Sequence, residues 1–265
     1  MGSQEEYDAF YRTSEFKLRH AIAEIKRTYG VNAHLKNKSL IKFGRNPALG
    51  TSRGTIQVYG GNDTYLSSNG ITHFSSSDDG DEQDIVVEGH TVDGSGDFTF
   101  VVQPATLGGF TKTALTTPLA RCTRVYNDDA TDFAGDVYVY ENGATVTDGV
   151  PGSLIHNKVL AGRNQSEKCS TTISKVDYWI ITGVSVGVLQ KTAATVDGVL
   201  EIRNKGKTFR QLLPIPAASG GAPSQISLDP YIIAPANSDV RLTGIASTTN
   251  VEVTGIIGGY LAIAE

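Results

Sequence analysis

The densest cluster of side chains able to do chemistry lies at residues 75–84, SSSDDGDEQD, where Asp78, Asp79, Asp81, Glu82 and Asp84 crowd around one glycine. Carboxylate oxygens gathered at a glycine turn suit a hard cation such as Ca2+. The spacing departs from an EF-hand loop, because the glycine comes early and no glutamate closes the loop. The residues therefore favour a solvated acidic loop. The other metal-ligand types are five histidines (His20, His34, His73, His90, His156) and two cysteines (Cys122, Cys169). The cysteines form no CxxC pair and the histidines no HExxH motif, so the spacing of a zinc site is missing. Both thiols are expected to be free and buried or half-buried, in a protein made in a reducing cytosol. No metal and no organic cofactor is expected.

Nucleophilic chemistry finds little support. Ser14-x-x-Lys17 falls on a helical segment without the companion motifs of a serine acyl-enzyme. Cys169 and His156 carry no local signature of a catalytic pair, and there is no Walker-type loop or GxGxxG for a nucleotide. Glycoside hydrolysis needs two acids facing each other across a cleft, and no spacing singles out such a pair. Tyr59, Tyr65, Tyr126, Tyr138 and Tyr140 concentrate aromatic rings between residues 59 and 140, with Tyr138 and Tyr140 on one face of a strand pattern. Such rings serve sugar-binding platforms or subunit interfaces, and the interface reading is preferred. The chain is thus expected to be non-enzymatic and to work by binding.

The elements that would carry these residues divide by charge. Residues 1–53 hold ten Lys/Arg against five Asp/Glu, a net +5, and the remaining 212 hold 13 against 23, a net −10. Ser3 and Glu6 fit a capping box. From Ser14 the residues Leu18, Ile22, Ile25 and Tyr29 recur at helical spacing, and Gly30 is a ready stop. Residues 31–53 follow neither period and carry Lys36, Lys38, Lys42, Arg45 and Arg53 without an acid. They read as an extended arm that orders against a neighbour. From Thr55 the period becomes two. Val137 and Val139 alternate with Asp136, Tyr138 and Tyr140, and Val251 and Val253 alternate with Glu252 and Thr254, the pattern of half-buried antiparallel strands. Asp-Gly at 93–94 and 197–198 and Asn-Gly at 142–143 mark tight turns, and 142–153 reads as a loop.

The expected fold is therefore all-β: an antiparallel β-sandwich or jelly-roll body, of one or two sandwiches, behind a helical leader. The expected division is 1–53 for the basic helical leader and extended arm, 54–155 for one sandwich and 156–265 for a second, jelly-roll-like one. No run approaches the roughly 20 apolar residues of a membrane span, and the first residues lack the basic and apolar regions of a secretory signal. A basic arm can neutralise phosphates, but the acidic body would repel the same polymer, so neither membrane nor nucleic acid is an expected partner.

Three stretches carry a family likeness: GTIQVYGGNDTYLSS (54–68), LTTPLARCTRVYNDDATDFAGDVYVYENG (115–143) and VLAGRNQSEKCSTTI (159–173). With the apolar β-rich end of the chain, they resemble structural proteins of tailed bacteriophages, a group common among marine phages, over roughly residues 50–265. The resemblance implies a virion component, assembled as a homo-oligomer such as a trimer and held to the major capsid protein or other virion proteins. Capsid cement or decoration is the leading role. A tail or receptor-binding part contacting host glycan is the alternative, and a glycan-degrading enzyme a third. The interface is expected to use Leu18, Ile22, Ile25 and Tyr29 of the helix, Lys36, Lys38, Lys42 and Arg45 of the arm, and Tyr138 and Tyr140 of the body.

Overall fold

In the computed structural model, which describes residues 14–190 and 192–264, the helical stripe forms α1 (Ser14–Tyr29). Gly30 ends it in the left-handed region, φ +70°, with its N–H on Lys26 O at 2.9 Å, the stop that glycine makes without a Cβ clash. The capping pair Ser3 and Glu6 lies outside the described residues.

Eighteen strands follow among the described residues. The first two are β1 (Ala33–Leu49) and β2 (Gly54–Thr55). Next come β3 (Ile71–Ser76), β4 (Asp84–Val92), β5 (Phe98–Thr106), β6 (Thr113–Leu119) and β7 (Arg121–Asn127). Then come β8 (Val137–Glu141), β9 (Val146–Thr147), β10 (Val150–Pro151) and β11 (Ile155–Val159). The last seven are β12 (Ser170–Thr172), β13 (Asp177–Val188), β14 (Thr195–Asn204), β15 (Arg210–Ala218), β16 (Ser224–Ala234), β17 (Ser238–Ala246) and β18 (Val251–Ala264).

The body is all-β and antiparallel, as the alternation required. One sheet runs β1-β18-β13-β16, and it packs on β12-β17-β14-β15, with β2 beside β17. Their shared core holds Trp179, Ile181, Val186, Leu200, Leu242 and Val253. A second pair of sheets, β11-β8-β3-β6 and β5-β4-β7, encloses Phe74, Ile85, Val87, Leu119, Val125 and Val139. The second sandwich is inserted into the first: the chain leaves after β2, builds β3 to β11 and returns at β12. The outgoing and returning segments run side by side as a neck, with Val58 N–H on Glu167 O at 3.2 Å and Cys169 N–H on Ile56 O at 3.0 Å.

This nesting moves the expected boundaries. The break at 155/156 falls inside β11, and residues 33–49 are no arm but an edge strand laddered along β18 from Ala33–Ala264 to Leu49–Val251. The neighbour that orders the segment is the chain's own C-terminal strand. Its period was hidden by register shifts between Leu35 and Ser39 and between Asn46 and Leu49, and by polar or small residues on its inward face. Lys42, Gly44 and Asn46 are all buried there, and a Cβ at Gly44 would meet Ile56 O at 2.3 Å. Two turn readings also change. Asp197-Gly198 lies within β14; glycine stands there because a Cβ would come 2.8 Å from Ile215 O and 2.9 Å from Val186 of the facing sheet. The loop 142–153 contains the β9–β10 hairpin.

α1 lies on the outer face of the first sheet. Ala21 and Ile25 are fully buried against Tyr178, Ile180 and Ala262, with Leu18 and Ile22 beside them. Burying one such side chain contributes about 1.5–3 kcal/mol, which a four-turn helix with a single stripe needs in order to persist. Among the described residues no helix is long and apolar enough to cross a membrane.

Candidate functional site

Buried ion pairs lie where the two sandwiches meet. Asp239 on β17 is 3% exposed. It accepts Arg121 of β7 through Nε at 3.0 Å and Nη2 at 3.4 Å, Arg203 of β14 through Nε at 3.1 Å, and the Thr172 hydroxyl at 2.7 Å. Arg121 also donates to Leu66 O at 2.6 Å. The guanidinium groups and rings stack in alternation: Arg121 lies over Tyr65, Arg203 over Tyr65 and Phe209, and Arg241 over Phe209. Arg241 ends the row on buried Glu201 at 2.7 Å.

A second buried pair, Lys168 with Asp63 at 2.8 Å, sits at the neck. Asp63 also takes the hydroxyls of Ser170 and Tyr59. Burial alone would push its carboxyl up, but the Lys168 charge and these hydrogen bonds hold it below its ordinary value. Burial pushes Tyr59 and Tyr65 well above theirs, so both phenols stay neutral donors. Each of the charged side chains Asp239, Arg121, Arg203, Arg241, Glu201, Asp63 and Lys168 is paired with another protein group, which suits holding two bodies in one orientation.

The acidic loop is only partly solvated. Asp81 is fully buried and accepts Ala134 N–H at 2.8 Å, Gly135 N–H at 3.0 Å and the Ser76 hydroxyl at 2.5 Å. It ties two loops together as a hydrogen-bond acceptor. Among the described residues no group of three or more His, Cys, Asp or Glu is arranged to hold a metal ion. Cys122 and Cys169 are free and buried, as expected, and burial pushes their thiols up to about 11 and about 12. Cys169 Sγ faces Lys42 O at 3.6 Å, whereas His156 Nε2 is taken by Glu141 at 2.9 Å, so the two residues form no catalytic pair.

Against the expectation of no GxSxG elbow, Gly183-Val184-Ser185-Val186-Gly187 has that spacing. The structure places Ser185 in the middle of β13, opposite Gln225 and Ile256. An elbow needs a sharp strand-to-helix turn, so the match is a strand residue.

The residues expected at an interface fall in three places. Leu18, Ile22 and Ile25 are spent on the chain's own sheet, and Tyr29 packs its ring on Tyr178 at 5.3 Å. Tyr138 and Tyr140 do share a face opposite Val137 and Val139, but it is not open: with Ala144 they form a small core under Val146 and Ile155. The Tyr140 hydroxyl bonds Ser75 at 3.0 Å, and Lys158 lies over the Tyr138 ring. Arg45 pairs with Glu252 at 2.6 Å and Lys36 with Asp177 at 2.8 Å, while Lys38 is exposed and Lys42 buried.

What remains open is the outer face of the first sheet beside α1. Ile41 is 65% exposed, Ile256 41%, Phe43 38% and Tyr260 37%. The register puts Phe43 opposite Ile256, Ile41 opposite Gly258 and Ser39 opposite Tyr260. Ser39, Ile41, Ile256, Gly258 and Tyr260 border a trough of about 370 Å³ that includes Thr182, Gly183 and Ser185 and has no charged residue in its lining.

No family model and no curated protein matches the chain. Among solved structures, a likeness is found to the Gx strain of infectious bursal disease virus, 8% identical over 89% of this chain and 71% of that one, TM-score 0.22. The VP2 subviral particle of the same virus is 11% identical over 87% and 72%, TM-score 0.22. A Clostridium thermocellum endo-1,4-β-D-xylanase is 10% identical over 49% and 22%, TM-score 0.17. Likenesses of this size define no shared topology.

Proposed function

We propose that the chain is a non-enzymatic structural protein of a virus particle, a capsid cement or decoration subunit that associates with copies of itself and with the shell. One observation carries the reading: the uncharged trough and the exposed Ile41, Phe43, Ile256 and Tyr260 group large apolar side chains on one open sheet face. Large apolar side chains grouped on an open sheet face mark a place where another protein sits. The resemblance of residues 50–265 to structural proteins of tailed phages supplies the setting. The commitment of the buried ionic groups to the joint supports a holding role over a catalytic one. A lattice then multiplies modest affinities.

Light scattering of the purified protein, with Ile41→Glu and Ile256→Lys as surface variants, tests self-association. The wild type is expected to run as an oligomer such as a trimer, and both variants as folded monomers. Counting copies on intact particles tests the location: hundreds support a shell protein, and a dozen or fewer move it to the tail. A monomeric wild type absent from particles would overturn the proposal. Deletion of residues 1–53 is a poor test, because it would strip β1 from its sheet.

A further inference from the structure

Between β1, β12 and the second sandwich lies a cleft of about 160 Å³ that shares Thr172 with the joint. Lys38 and Lys42 of β1 line one wall, His90 and Phe100 the other, and Leu40 and Leu261 supply apolar surface. Lys42 is 7% exposed, yet the acceptor of its ammonium is one backbone carbonyl, Thr123 O at 2.7 Å. No carboxylate lies within ion-pair distance of it among the described residues. Glu88, on the same lining, is turned to Arg124 at 3.9 Å. An ammonium has three donors, and a buried charge without a counter-charge is costly. His90 is 2% exposed and its Nδ1 has no hydrogen-bond partner. Its ring faces Phe100 at 5.2 Å between centroids. Lys36, at the end of the cleft, is neutralised by Asp177, whereas Lys38 at the rim is not.

We infer that this cleft binds a small monocarboxylate with a short apolar tail, the carboxylate meeting Lys42 and an Nδ1-protonated His90 and the tail lying along Leu40, Phe100 and Leu261. The bound anion supplies the counter-charge that Lys42 lacks and the acceptor that His90 lacks. The volume of about 160 Å³ has room for a chain of a few carbons. Burial lowers the Lys42 ammonium to about 8, against the opposing charge of Glu88 in the same lining, and a bound carboxylate would raise it again.

The test is calorimetric titration of the full chain at pH 7 with hexanoate, against inorganic phosphate and chloride at equal ionic strength. Hexanoate is expected to bind one to one. Lys42→Met should weaken it at least tenfold, His90→Phe by a comparable factor, and Lys38→Gln, at the exposed rim, about threefold. If Lys42→Met fails to fold, the His90→Phe and Lys38→Gln titrations decide. Absence of saturable hexanoate binding, equal binding of phosphate, or affinity unchanged in the folded variants would each overturn the inference.

Discussion

Asp239 offers the sharpest test of how the two sandwiches are joined. It receives two guanidinium groups and a threonine hydroxyl, and only the Arg121 arm crosses from one sandwich to the other. Asp239→Asn keeps the shape but leaves Arg121 and Arg203 facing a neutral amide. Removing one partner of a buried pair costs about 3–5 kcal/mol, mostly as the stranded charge. At about 2–4 °C per kcal/mol for a chain of this size, the melting temperature should fall by roughly 6–20 °C. Arg121→Met is milder, since Arg203 and Thr172 still satisfy the carboxylate; losing its charge-assisted bonds costs about 1.5–3 kcal/mol. Its signature is different. Trp179, the single tryptophan, is fully buried in the first sandwich, so its fluorescence reports that body, while far-ultraviolet dichroism reports both. In urea the two probes should coincide for the wild type and separate for Arg121→Met, because coincidence of probes is the mark of one cooperative unit. A midpoint shift worth less than about 1 kcal/mol for Asp239→Asn, or coincident probes in Arg121→Met, would refute the claim that this network couples the bodies.

Asp81→Asn removes the charge that receives two backbone N–H groups and a hydroxyl; urea unfolding should show a loss of about 1–3 kcal/mol, with no effect of added Ca2+ on either protein. Acid should destabilise the molecule through His90, which burial lowers to about 3. Between its unfolded value near 6.5 and about 3 only the unfolded chain takes up this proton, so the contribution is complete above pH 6.5 and is lost as pH falls, by about 1.4 kcal/mol per unit. Urea midpoints from pH 7 to pH 4 should therefore fall less steeply in His90→Phe than in the wild type. Both thiols should resist a thiol reagent at pH 8 in the native state, since burial holds them protonated, and labelling should begin only in urea; fast labelling of either in native buffer would contradict their placement.

The legible parts of the sequence are those with one wet and one dry face. β17 and β18 show alternation because Val240, Leu242, Val251 and Val253 meet a single apolar core. β1, β3 and β11 were missed for the opposite reason. Their buried positions carry Lys42, Asn46, Ser75, Ser76, His156 and Asn157, polar side chains that bond to neighbouring strands and loops, so the period-two signal vanishes. The tyrosines misled in a related way: alternation placed Tyr138 and Tyr140 correctly opposite the valines but could not show that a hairpin covers them. The joint itself was invisible, since Asp63, Arg121, Lys168, Arg203 and Asp239 meet only after the second sandwich is threaded through the first.

That threading explains why the seam is polar. An apolar joint would bind the two bodies more strongly per unit area, yet it tolerates small rotations, because dispersion and burial are non-directional. A guanidinium fork on a buried carboxylate accepts one geometry, and misalignment strands a charge. The buried network therefore adds less to stability than its bond count implies, and more to orientation. In a subunit repeated over a shell, as proposed, the angle between the assembly face on the first sheet and the inserted sandwich is copied at every position. An angular tolerance at the seam would become a mismatch at the next contact. On this reasoning Arg121→Met should impair occupancy on particles more than a core variant of comparable stability loss, such as Ile181→Ala at about 2–5 kcal/mol, which leaves the seam intact.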